Sequence, residues 1–174
     1  MVLDNISKPK QKNLEDKIKN FLDELIVDLV EIDFNYLIKQ YDDKSNCFAV
    51  SINASKLYNA EKEKEKLVSF EKVTFYIYMN SLIDSINLSV INLRRADDDF
   101  KNQLVLINEV NADSVNGYFY IQNNWIKYNS NLMINDIENS ITKDHIINEI
   151  AMLLISLDRF YLKLANKTNE NKNK

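Results

Sequence analysis

Four of the nine tyrosines, the single histidine, the single cysteine and a run of three aspartates are the residues from which chemistry could be built in this chain. His145 stands alone, whereas zinc and hydrolytic sites need several ligands, or a nucleophile, a base and an orienting group together. It reads as a structural residue at the third position of the last helix. Cys47 has no basic neighbour or helix N-terminus to lower its pKa, so it reads as a strand residue rather than a reactive thiol. Asp97, Asp98 and Asp99 lie where a helix start favours carboxylate acceptors, and without further ligands nearby they read as capping groups rather than a cation site. Phosphate-cradling loops need several glycines, and Gly117 is the only one. The expectation is a non-enzymatic protein with no catalytic residues, no cofactor and no metal.

Tyr76, Tyr78, Tyr118 and Tyr120 are different. Each alternates along a strand with apolar residues, in positions where a solvated sheet would usually carry short polar or charged groups. Tyrosine offers a large contact area at little rotamer cost and is enriched in interfaces. These four residues are therefore the candidate protein-binding face, although tyrosine also suits a strand for its own sake.

The elements that would position them follow from periodicity. Ile18, Phe21, Leu22, Leu25, Ile26 and Leu29 recur at helical spacing and predict a helix from Leu14 to about Val30. Tyr36 to Tyr41 and Cys47 to Asn53 are short β-prone segments, with Asp42 to Asn46 as a hairpin loop. Ala54 to Lys66 is a charged connector whose opposite charges four apart could support a short solvated helix. Val73, Phe75, Ile77 and Met79 form one apolar strand face with tyrosines opposite. In the strand from Ile86 to Leu93 the apolar phase changes, which predicts a bulge or a burial switch near Asn92.

Phe100, Leu104, Ile107 and Asn111 then lie along one line of a second helix. Gly117 supplies backbone freedom for the loop beyond it, whose backbone Asn111 is placed to bond. Tyr118 to Gln122 and Trp125 to Ser130 read as a hairpin around Asn123 and Asn124, with Phe119 and Ile121 inward. Thr142 reads as the N-cap of the last helix, with Ile141 and Ile146 as a hydrophobic staple. That helix is apolar nearly all round. Ile150, Leu153, Leu157, Phe160, Tyr161 and Leu164 are the expected dimer or partner surface, since one side can pack on the sheet and the other must meet the first helix or a second subunit.

At 174 residues, 45% hydrophobic and 28% charged, one core is expected: a flexible lead-in over 1–13, a single α+β domain over 14–165 and a disordered tail over 166–174. The net charge of −4, with both signs interspersed, argues against nucleic acid as partner. The longest apolar run, Ile150 to Ile155, is far short of the roughly 20 residues of a spanning helix, and the first residues lack a secretion signal. No membrane association and a cytoplasmic location are expected.

Leu106 to Asn111, Asn116 and Gly117 before an aromatic strand, Trp125 to Tyr128 and a long closing helix from Thr142 together resemble the YbjN family of bacterial sensory transduction regulators. That family shares the fold of type III secretion chaperones. The likeness covers about Asp97 to Leu164 in detail and the first half in topology alone, and the Ala54 to Lys66 segment departs from it. It implies an antiparallel sheet of five to six strands in the order α-β-β-β-β-α-β-β-α, and a homodimeric adapter or chaperone-like module that holds a segment of a partner protein. A different reading is a small acidic inhibitor, such as a toxin immunity or phage anti-defence protein, that blocks an enzyme by surface binding.

Overall fold

In a computed structural model the chain is described over residues 8–29, 33–40, 46–53, 72–80, 85–96, 100–114, 116–133 and 141–172. The elements are α1 (Lys8–Asp28), β1 (Phe34–Gln40), β2 (Asn46–Asn53), β3 (Lys72–Asn80), β4 (Ser85–Arg95), α2 (Phe100–Ala112), β5 (Tyr118–Gln122), β6 (Trp125–Met133) and α3 (Lys143–Lys172). This is the expected α+β order. The connector from Ala54 to Lys66, the Asp42 to Ser45 loop and the Asp97 to Asp99 cap lie outside the described residues.

The six strands form one antiparallel sheet in the order β1-β2-β3-β4-β6-β5. Its register aligns Ile38, Phe48, Ile77, Leu88 and Ser130 in one row and Val90, Tyr128 and Phe119 in another. Because side chains alternate across a strand, these rows share one face. All three helices pack there: Tyr36 bonds Asp23 of α1, Asn111 of α2 bonds the backbone of Phe119, and Phe160 of α3 stacks on Phe119 at 5.0 Å. The core lies between, and each fully buried Val, Leu, Ile or Phe contributes about 1.5–3 kcal/mol of transfer free energy.

α1 buries Leu14, Ile18, Leu22 and Leu25, spaced at about one per helical turn. It begins at Lys8, six residues earlier than the apolar pattern required, because Pro9 falls in the first turn, where its missing N–H costs nothing. α3 likewise runs on to Lys172, past the last apolar residue of the pattern.

In α2 the buried residues are Gln103, Leu106, Ile107 and Val110, while Phe100 and Leu104 are exposed. The helix is thus turned from the predicted line through Phe100, Leu104 and Ile107. The rotation seats Leu106 and Val110 in the core while Asn111, at its margin, still reaches β5.

The turn chemistry follows the residues. Asn123 and Asn124 have φ of 53° and 61°, the left-handed pair of a two-residue hairpin, and Gly117 has φ of 75°. At the start of α3 the Thr142 N–H donates to His145 Nδ1 at 3.1 Å, so the histidine fills the third-position role usually taken by Glu. Ile141 and Ile146 are both buried, as a staple requires.

Candidate functional site

The opposite face of the sheet is built from the alternate residues of the same strands. One row crosses all six: Leu37, Ala49, Tyr76, Ser89, Asn129 and Tyr118. A second joins Tyr78, Asn87 and Asn131. All four candidate tyrosines therefore lie on one side of the sheet. Tyr76 and Tyr118 are three strand spacings apart, roughly 14 Å. Tyr118 and Tyr120 are neighbours on β5, with ring centroids 5.6 Å apart. Tyr118 is 48% exposed and the other three are half-buried. The Lys39 ammonium lies 6.0 Å from the Tyr76 ring centroid.

Between the tyrosine pairs runs a polar seam. Ser89 Oγ donates to Asn129 Oδ1 at 2.5 Å, the Tyr78 hydroxyl lies 3.4 Å from the same Oγ, and Asn129 Nδ2 donates to Asn131 Oδ1 at 3.2 Å. Ser85, Asn87 and Ser89 are all buried. Asn87 Nδ2 and Ser85 Oγ are buried without a hydrogen-bond partner. Leaving such a group unmade costs about 1–3 kcal/mol, so the seam carries a stability cost inside the fold.

Charge on this face is one-sided. By register its ionised groups among the described strand residues are Lys39, Lys72, Arg95 and Lys127, and none is a carboxylate. The Asn and Ser members of the seam were not singled out by sequence reasoning. Their signal was the alternation Ser85, Asn87, Ser89 against Ile86, Leu88, Val90, and the Asn-rich composition of the whole chain masked it.

The residues assigned to a partner-binding helix divide. Ile150, Leu153, Leu157 and Phe160 are buried in this chain's own core, because the sheet takes one side of α3 while α1 and α2 flank it. They are not a surface. Tyr161 and Leu164 are half-buried at the edge of that core, and the exposed apolar residues of α3 are Ile155 and Leu162. Lys143 pairs with Asp28 and Glu24 of α1, and Lys163 and Lys167 pair with Asp113 and Glu109, so ion pairs edge the helix on both flanks.

Asn111 and Gly117 act as positioning residues for β5. Asn111 Nδ2 donates to the Phe119 carbonyl at 2.9 Å, and its Oδ1 accepts from the Phe119 N–H at 2.7 Å, so one side chain imitates a strand partner. A Cβ on Gly117 would stand 2.2 Å from the Tyr128 hydroxyl and 2.9 Å from the Asn129 carbonyl. The glycine thus provides both the φ and the space through which Tyr128 donates to the Asn116 carbonyl at 2.8 Å.

Two buried carboxylates lie on α3. Glu149 accepts from Asn116 Nδ2 at 2.6 Å and from Ser130 Oγ at 3.2 Å, and burial, only partly offset by these bonds, holds its carboxyl above the usual range. Burial alone does the same for Asp158, whose Oδ1 has no partner. Burial also raises the Cys47 thiol above its usual range, against the opposing charge of Lys39, which the register brings opposite it as the basic neighbour that sequence reasoning did not find. Tyr36, beside Asp23, is pushed up to about 12 by burial and by that carboxylate.

Among the described residues no three His, Cys, Asp or Glu side chains stand together as metal ligands, and no helix is long and apolar enough to cross a membrane. No protein-family model matches the chain, and no curated protein matches it.

Proposed function

We propose that the protein acts by binding another protein across its tyrosine face, as an adapter or chaperone-like module of the YbjN kind. One observation carries the reading: four tyrosines, Tyr118 among them 48% exposed and the others half-buried, stand on one side of the sheet, where no described helix packs. Their rings supply contact area and their hydroxyls hydrogen bonds. The flanking lysines favour a partner segment with acidic character. An inhibitor that worked through an acidic surface would need carboxylates on its binding face, and the described strand residues of this face include none, so the adapter is the preferred reading.

The test is capture of partners from the native host by the tagged full chain, followed by mass spectrometry, with the double variants Tyr76→Ala/Tyr78→Ala and Tyr118→Ala/Tyr120→Ala run in parallel. Proteins retained by the wild type and lost from both variants support the reading. An identical set on all three baits, or none on the wild type, overturns it. Light scattering addresses self-association as part of the same proposal: a dimer weakened by Ile155→Lys/Leu162→Lys would assign it to the outer side of α3, whereas a strict monomer removes it.

A further inference from the structure

The sheet is forked. β3 and β4 pair from Tyr76 opposite Ser89 to Asn80 opposite Ser85, but Lys72 to Phe75 have no partner on β4. The cause lies one strand further on: β4 stays with β6, and its register shifts between Val90 and Arg94, so four residues of β4 cover the length that two cover on β6. The extra length bows β4 away from β3. The gap is a cavity of about 260 Å³, with Lys72, Thr74 and Tyr76 on one side, Ile91 and Asn92 on the other, and Leu157 and Tyr161 of α3 closing it from the helix side.

The lining is chemically biased. Among the described residues no carboxylate borders the cavity, although the chain as a whole carries a net charge of −4. The exposed Lys72 stands at its β3 end, and Arg94 is close enough to Tyr161 to favour the phenolate electrostatically. Hydroxyl and amide groups from Thr74, Tyr76 and Asn92 form the polar wall, while the half-buried Ile91 and Leu93 provide an apolar one. Pockets for small ligands combine these features: apolar walls, a few convergent hydrogen-bonding groups and a charge at one end. The size lies near the lower limit of such pockets, which suits one ring or a short chain.

From this geometry we infer that the fork between β3 and β4 is a binding site for a small organic anion, a monocarboxylate with a compact apolar body. The body lies against Ile91 and Leu93, and the carboxylate is held at the Lys72 end. The site is separate from the polar seam, and it shares Lys72, Thr74 and Tyr76 with the tyrosine face.

The test is a titration of the uniformly ¹⁵N-labelled full chain with phenylacetate, and in parallel with phenylacetamide and phenethylamine. Saturable amide shifts at Lys72 to Tyr76 and Val90 to Leu93 are expected with phenylacetate, weakening as salt rises. The neutral and cationic analogues should bind about tenfold more weakly or worse, because they lose the charge-assisted contact. Ile91→Trp, which fills the gap from a half-exposed position, should abolish the shifts. Lys72→Glu, at an exposed position that leaves the core untouched, should weaken phenylacetate by about tenfold or more, and it carries the test alone if the tryptophan variant does not fold. No saturable shift at these amides up to about 10 mM, a range that covers even millimolar affinity, overturns the site. So does equal binding of all three probes, or a Lys72→Glu variant that binds phenylacetate as well as the wild type.

Discussion

The two faces of one sheet differ more than any two segments of this chain. On the helix side, Phe48, Val50, Phe75, Ile77, Leu88, Phe119 and Tyr128 are buried, and nearly every group has a packing partner. On the other side the same strands present tyrosine, asparagine, serine and lysine, and two buried polar atoms remain unmet. Burial of apolar area decides the first face and makes it tolerant of detail, since any side chain of suitable volume serves. The second also buries Cys47, Ala49, Asn87 and Ser89, while Tyr118 stays 48% exposed and Tyr76, Tyr78 and Tyr120 half-buried. Those partly exposed rings, which burial does not explain, are the natural place to look for binding.

Substitutions that sharpen this contrast can be ordered by expected effect. Phe119→Ala removes a ring that is 2% exposed, stacked on Phe160 and edge-on to Tyr128; a loss of about 3–5 kcal/mol is expected in urea unfolding. Less than about 1 kcal/mol would mean that the helix-side core is looser than its packing implies.

Gly117→Ala is next. It forces φ of 75° on a residue with a Cβ and drives that atom into Tyr128. A cost of about 2–4 kcal/mol is expected, from roughly 1–2 for the backbone and the remainder for the displaced hydroxyl. The same substitution should cost less in a Tyr128→Phe background, where the nearest atom is gone. Asn111→Ala orphans both backbone groups of Phe119, and about 1–3 kcal/mol should be lost.

On the opposite face the expectation reverses. Tyr118→Ala and Tyr120→Ala should each change stability by no more than about 0.5–1 kcal/mol while partner capture is lost. A large loss of stability from either would make these tyrosines part of the fold rather than of an interface.

The smallest effect is a pH dependence. Glu149 and Asp158 have carboxyl pKa values raised in the folded state by burial. Each therefore contributes stability that is fully present below its unfolded pKa and is lost as pH rises through the folded value. Relative to the wild type, Glu149→Gln should gain stability as pH rises through that range and show a flatter profile in unfolding at stepped pH. A constant difference between the two proteins across that range would show that Glu149 does not titrate there.

Local structure was legible wherever one residue type enforces it. Gly117, Asn123 and Asn124 marked positive φ, Ile141, Thr142 and Ile146 marked the start of α3, and the phase change after Val90 marked the bulge. The side-chain period of two was enough to say that Tyr76 and Tyr78 oppose Phe75 and Ile77. It could not say which residues from other strands would stand beside them. The seam escaped notice for that reason: Ser89 and Asn129 are 40 positions apart, and their hydrogen bond exists only because β6 inserts between β4 and β5.

The closing helix makes the same point. Its apolar residues exceed what one sheet face can cover, and the amino-acid pattern leaves open whether a neighbouring helix or a second copy completes the cover. Packing decided it, with α1 and α2 flanking α3 so that Ile150, Leu153, Leu157 and Phe160 are enclosed by their own chain. Periodicity along the chain thus determined the elements, their order and the apolar face of each strand, because these depend on residues within one or two turns of each other. Strand order, the rotation of α2, the fork between β3 and β4 and the unmet donors of the seam were decided by tertiary structure alone, because each is a relation between segments that only the packed sheet brings together.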